Sequence, residues 1–161
     1  MIKKIVLVVS IFLIHFLSNA QQKDIDISEL PVEVKAVLEE YITILTTSDN
    51  IDECANRFLA IAGGGLVNPN STLLRNSVKP YSLTKDFNNV KFYKVPVEII
   101  RVAKTKTGQA GYGVSALSGD WYKIYIAKKD GVSGMPAPVH IVFPKNHKFI
   151  KTPKVIQGGS F

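Results

Sequence analysis

The chain is short of the side chains that most often carry chemistry. In 161 residues it has one cysteine, Cys54, one tryptophan, Trp121, and three histidines. A single cysteine closes no intramolecular disulfide, so packing alone must hold the fold. His140 and His147 are seven residues apart at opposite strand parity, and Cys54 lies far upstream. No ligand spacing for zinc or calcium results, so neither metal nor cofactor is expected. Gly113-Val114-Ser115 and Val132-Ser133-Gly134 both fail to complete a nucleophile elbow. Gly63-Gly64-Gly65 is followed by Leu66-Val67-Asn68-Pro69 and not by the Lys and Ser or Thr of a phosphate loop. It reads as the stop of a preceding helix. No internal repeat is present.

The longest apolar run is Ile5 to Leu17. It follows Lys3-Lys4, precedes Ser18-Asn19-Ala20, and is interrupted by Ser10 and His15. A membrane crossing takes roughly 20 apolar residues, so this segment reads as a signal peptide, residues 1–20, cleaved after Ala20. Gln21-Gln22 then stands at the new terminus, with no cysteine there to carry lipid, and no stable membrane anchor is expected after cleavage. The expected location is outside the cytoplasmic membrane, periplasmic or extracellular. That compartment makes intracellular nucleotides and nucleic acids poor candidate ligands.

Charge is unevenly spread. Residues 21–86 hold 6 Lys and Arg against 10 Asp and Glu, whereas residues 87–161 hold 12 against 3. The asymmetry fits an acidic helical layer beside a basic sheet, with an anion-seeking face as the alternative.

Periodicity supports that division. After a polar arm, 21–30, the residues Val34, Val37, Leu38, Tyr41, Ile42 and Leu45 line one face of a helix over 31–46. Asn50 with Glu53 three residues on has capping-box spacing, and predicts a second helix over 51–62 that buries Cys54 on its apolar stripe. A short third helix is expected over 71–78, then irregular chain around Pro80 and Asp86-Phe87-Asn88-Asn89. From Val90 the period is two. Strands are expected over 90–104, with a bulge near Lys94 to Pro96, over 112–117, over 121–126, over 138–143 and over 149–156. Turns are expected at Thr107-Gly108, Ser118-Gly119-Asp120 and Asp130-Gly131. The predicted class is α+β. An N-terminal helical hairpin packs on a curved antiparallel sheet of about four to five strands, in one domain over 31–161.

This order of elements, the helical hairpin from Pro31 to Ala62 and the strands Val90–Lys104, Trp121–Lys128 and Pro138–Phe143, resembles the cone-shaped nuclear transport factor 2-like superfamily. A cystatin-like helix on a sheet is the second resemblance. The first implies a cavity, and in enzymes of that class an Asp or His at its open end, for which Glu98, Asp120, His140 and Tyr125 are the comparable groups here. Glu98, His140 and Tyr125 are therefore candidate acid or base groups. By parity Glu98 opposes the apolar Val97 and Ile99, His140 shares its side with Val142, and Asp120 reads as a turn residue.

Candidate ligand-binding residues are Trp121, Tyr122, Lys148 and Lys151. Lys145, Lys148, Lys151 and Lys154 recur every three residues, which in a strand sends successive lysines to opposite faces. They read as edge protection, or as contacts to an anionic cell-surface partner. The function expected is a small exported binding or interaction domain. The alternatives are a hydratase- or isomerase-type acid/base enzyme with a cavity site, and an inhibitor or partner-binding module exposing an apolar patch near Gly131 to Pro138.

Overall fold

The structure, a computed structural model, describes residues 22–161; the signal peptide expected over 1–20 lies outside them. The first helix, α1, spans Val32–Thr47 and buries Val34, Val37, Leu38, Tyr41, Ile42, Ile44 and Leu45. These are the residues its 3.6-period marks, with Ile44 added. Pro31 is the cap and not the first helical residue; its carbonyl accepts from Val34 and Lys35 N–H. Helix α2 spans Ile51–Phe58. Asn50 Oδ1 accepts from the backbone of Asp52 and Glu53, while the Glu53 carboxylate reaches back one residue further than a capping box requires, to Asp49 N–H. Cys54 is fully buried, and burial pushes its thiol up to about 11.

Five strands follow the chain order across one antiparallel sheet, each paired with its sequence neighbour: β1 Lys23–Ile25, β2 Ile99–Ala110, β3 Leu117–Ile126, β4 Pro138–Pro144 and β5 Lys154–Gln157. The molecule is thus α+β, with most helical chain before most of the sheet. One row, Ile25, Val102, Ile124 and Val139, and another, Lys104, Tyr122, Ile141 and Val155, face the helices. Apart from Lys104, these residues join α1 and α2 in a filled core.

Several sequence expectations are corrected. The polar segment 21–30 is not a loose arm throughout: Lys23–Ile25 pairs with β2, and Ile27–Glu29 forms a 3-10 turn capped by Asp26. Helix α2 ends at Phe58, well before the glycine triplet. Gly63 N–H bonds Val155 O and Val155 N–H bonds Ile61 O, so the chain at 61–63 covers the outer edge of β5. A Cβ on Gly63 would lie 2.7 Å from Lys154 Cβ, and one on Gly64 (φ +57°) 2.8 Å from Ala110 Cβ and 3.2 Å from Ile156 Cγ2. The triplet is therefore a close backbone approach. Because it touches both β5 and the far end of β2, which are not neighbours, the sheet must curl.

No helix forms over 71–78. A π-type turn over Val78–Leu83 runs into α3, Thr84–Asn89, where irregular chain was expected. Pro80 is tolerated because it sits in the first turn, where no N–H is required. Val90–Phe92 is a 3-10 turn, so β2 starts at Ile99, and its irregularities fall at Ile99/Arg101 and Lys106/Gln109 and not at 94–96. Thr107-Gly108 is thus a bulge inside β2. Gly113–Ser115 is a 3-10 turn in place of a strand, and Ser118-Gly119-Asp120 lies inside β3. The last strand is only Lys154–Gln157, which leaves Lys145, Lys148 and Lys151 in the loop before it.

Candidate functional site

Strand alternation sorts β3 into two sets. Tyr122, Ile124 and Ile126 are buried in the core, and Trp121, Lys123 and Tyr125 point to the side away from the helices. The register then assembles that second face. Thr105, Trp121 and Val142 are aligned; so are Asp24, Ala103, Lys123 and His140, and so are Arg101 and Tyr125. Ala103 and Val142, at its centre, are fully buried yet stand outside the main core.

The polar groups of this face organise one another. The Arg101 guanidinium lies 5.0 Å from the Tyr125 ring centroid and the Lys123 ammonium 5.4 Å from it, so one aromatic ring holds two cations. Arg101 also grips Asp24, with Nε at 3.1 Å from both carboxylate oxygens and Nη2 at 3.0 Å from Oδ1. Lys123 is not among the cations that form an ion pair with a described residue. His140 is half-buried across from it, and burial, then the Lys123 charge, lowers its pKa below the ordinary 6.5, so the imidazole is neutral at pH 7. Trp121 leans over the β2 bulge, near enough that a Cβ on Gly108 would lie 3.5 Å from its ring. Its buried indole N–H has no acceptor among the described residues.

Of the acid or base candidates, the fold brings Tyr125 and His140 to one face on diagonal register positions and leaves Glu98 elsewhere. Glu98 is exposed before β2 begins and is held by Lys94 at 2.8 Å. Of the ligand candidates, Trp121 is on the second face and Tyr122 is not: it is buried in the core beneath Lys104, 5.4 Å from its ring centroid. Lys148 is exposed beside the Phe149 ring, and Lys151 donates to the carbonyl of His147. Lys145 pairs with Asp120 at 2.7 Å and Lys154 donates to Ala60 O at 2.5 Å. The lysines thus serve separate local partners, and the covered edge of β5 owes its protection to the backbone at 61–63. Asp120 is a strand residue and not a turn residue. Partial burial raises its pKa, but Lys104 at 2.8 Å and Lys145 outweigh that and hold the carboxyl below its ordinary value.

Two side-chain arrangements escaped the sequence reading. Arg101 and Lys123 meet on Tyr125 only once the β2–β3 register is known, although the alternation Trp121, Lys123, Tyr125 was visible. Asp86, read as irregular chain, is 1 % exposed and accepts from Tyr41 Oη at 2.6 Å, Gly159 N–H at 2.6 Å and Phe161 N–H at 2.9 Å. It pins the segment 159–161, whose Phe161 ring packs between Tyr41 and Tyr93.

Open grooves lie between α1 and residues 151–154, about 470 Å³, and between residues 27–35 and Val97 and Ile99, about 510 Å³. Neither is lined by Glu98, Tyr125 or His140. Among the described residues no three His, Cys, Asp or Glu side chains gather to hold a metal, and no helix is long and apolar enough to cross a membrane. No protein-family model, curated protein or solved structure matches this chain.

Proposed function

We propose that the protein is an exported, non-enzymatic binding domain whose ligand surface is the sheet face of Arg101, Lys123, Tyr125, Trp121 and His140. The observation that carries this reading is the arrangement of Arg101 and Lys123 around one tyrosine ring on a face turned away from the helices. An exposed Arg101 and a partly buried Lys123 that both lie against one aromatic ring give up part of their rotamer freedom before a ligand arrives, so the ligand meets them partly preorganised. The acid/base alternative has less support. His140 and Tyr125 share the face, but the carboxylate that would complete the set, Glu98, is elsewhere and paired with Lys94. The partner-binding alternative rests on the loop 131–137, where Met135 is 88 % exposed, a single side chain and not a patch.

Export fits the Lys3-Lys4, Ile5–Leu17, Ser18-Asn19-Ala20 pattern. The test is co-sedimentation of the purified protein with the insoluble cell-surface fraction of its source. The wild type is expected to pellet, R101A/K123A to stay in solution, and K148A/K151A to pellet like wild type. Equal pelleting by the wild type and R101A/K123A would contradict the reading.

A further inference from the structure

Three side chains of α3 converge on one stretch of backbone. Lys85 Nζ donates to Gly159 O at 2.8 Å, Asp86 accepts from Gly159 N–H at 2.6 Å and from Phe161 N–H at 2.9 Å, and Asn89 Nδ2 donates to Phe161 O at 3.2 Å. The N–H and C=O groups of residues 159 and 161 are thus all held, while the Phe161 ring sits 6.0 Å from that of Tyr41 and 4.7 Å from that of Tyr93, centroid to centroid. A buried carboxylate is costly unless it is paired, and two of the partners of Asp86 are main-chain donors of this one segment.

The segment is placed to move. It follows β5, lies outside every strand, and starts at Gly158-Gly159, with Gly159 at φ +80°. Gly158, Gly159, Ser160 and Asn89 are partly exposed and Lys85 is exposed, whereas Phe161 is buried. Solvent therefore reaches the polar side of the site directly, and the ring pocket once the segment swings out.

The present occupant defines the chemistry of any replacement. The site asks for N–H donors at residues i and i+2 on one carboxylate, C=O acceptors at the same two residues, and an aromatic ring at i+2. That alternation of donors and acceptors belongs to a polypeptide. The Asp86 carboxylate disfavours an anionic group beside it, and the positive φ at residue i favours glycine.

We infer that residues 158–161 are a resident strap over a peptide-binding site, and that a segment of another polypeptide with the pattern Gly-x-Phe takes their place when the strap swings out. The site lies on the helical side of the sheet and is independent of binding at Arg101 and Lys123.

Opening is read in the wild type by amide hydrogen exchange. Gly159 and Phe161 should exchange at least about tenfold faster than Tyr122 and Ile124 in β3, after correction for intrinsic rates. Equal protection would mean that the strap opens only when the whole domain unfolds, and would overturn the inference. Occupancy is read in Phe161→Ala, which keeps the chain and empties the pocket, by titration with acetyl-Gly-Gly-Ser-Phe-amide. That peptide should bind Phe161→Ala at least about tenfold tighter than acetyl-Gly-Gly-Ser-Ala-amide does, and at least about tenfold tighter than it binds wild type, whose tethered strap competes. The amides of Tyr41, Tyr93 and residues 85–89 should shift on binding. If circular dichroism shows Phe161→Ala unfolded, Phe161→Leu carries the same comparison. R101A/K123A should behave as wild type in both measurements. No saturable binding, equal binding of the two peptides, or shifts confined to the outer sheet face would overturn the inference.

Discussion

Asp86 shows what one buried residue can require of its surroundings. Burial pushes its carboxyl above its ordinary value, while the hydrogen bonds from Tyr41, Phe161 and Gly159 favour the charged form. Asp86→Ala leaves a tyrosine hydroxyl and two backbone N–H groups without an acceptor, each worth about 1–3 kcal/mol when buried. The variant should lose at least about 3 kcal/mol in urea unfolding, and Tyr41→Phe no more than about 2 kcal/mol. Equal stability of Asp86→Ala and wild type would show that the 159–161 segment is not held in this way. His140 gives a pH signature. Its folded pKa is lowered by burial and by Lys123, so its contribution to stability is complete above the ordinary 6.5 and is lost as pH falls through the lowered value. Melting temperatures from pH 7.5 to 4.5 should therefore drop more steeply for wild type than for His140→Gln, with the divergence beginning near pH 6.5. Parallel curves would refute the burial of His140.

The elements were legible where one local rule decided them. Helix α1 followed from its apolar spacing, α2 began at its Asn50 cap, and the alternation of Trp121–Ile126 marked the centre of β3. Asn50→Ala should cost about 1 kcal/mol in thermal unfolding, because two N–H groups at the start of α2 lose their acceptor. Illegible elements were those in which distant chain overrides local preference. Residues 78–89 contain Pro80 and Asn88-Asn89, yet they coil because Asp86 is drawn into the core by Tyr41 and by residues 159–161. The Ser118-Gly119-Asp120 sequence looks like a turn, but Gly119 is in β3 because the β4 backbone presses on it: a Cβ there would sit 1.9 Å from Phe143 O. Gly119→Ala should therefore disrupt the β3–β4 pairing and lower stability well beyond the roughly 0.5 kcal/mol of a surface change. Ordinary stability in that variant would mean that the strands are further apart than described.

At the scale of the molecule, the acidic and basic halves of the sequence become the helical layer and the sheet. The α+β class could be read in advance because the hydrophobic period changes once, from 3.6 to 2, whereas the strand set could not: β1 lies in the segment expected to be a loose arm, and the strand expected over 112–117 is a 3-10 turn. The proposed binding face could not, because its members come from β1, β2, β3 and β4 and meet only through register: Asp24 with Arg101, Arg101 and Lys123 with Tyr125, Lys123 with His140. Counting lysines pointed to 145–154 instead, where each has a separate local partner. The central claim is that ligand binds the face of Arg101, Lys123, Tyr125, Trp121 and His140. The most direct measurement is a nitrogen–proton correlation spectrum of the labelled protein titrated with solubilised cell-surface material of its source. The account predicts that the Trp121 indole signal and the amides of Arg101, Lys123, Tyr125 and His140 shift together while α1 and residues 145–153 stay in place. Shifts confined to 145–153 or to the helices, with the Trp121 indole unmoved, would contradict it.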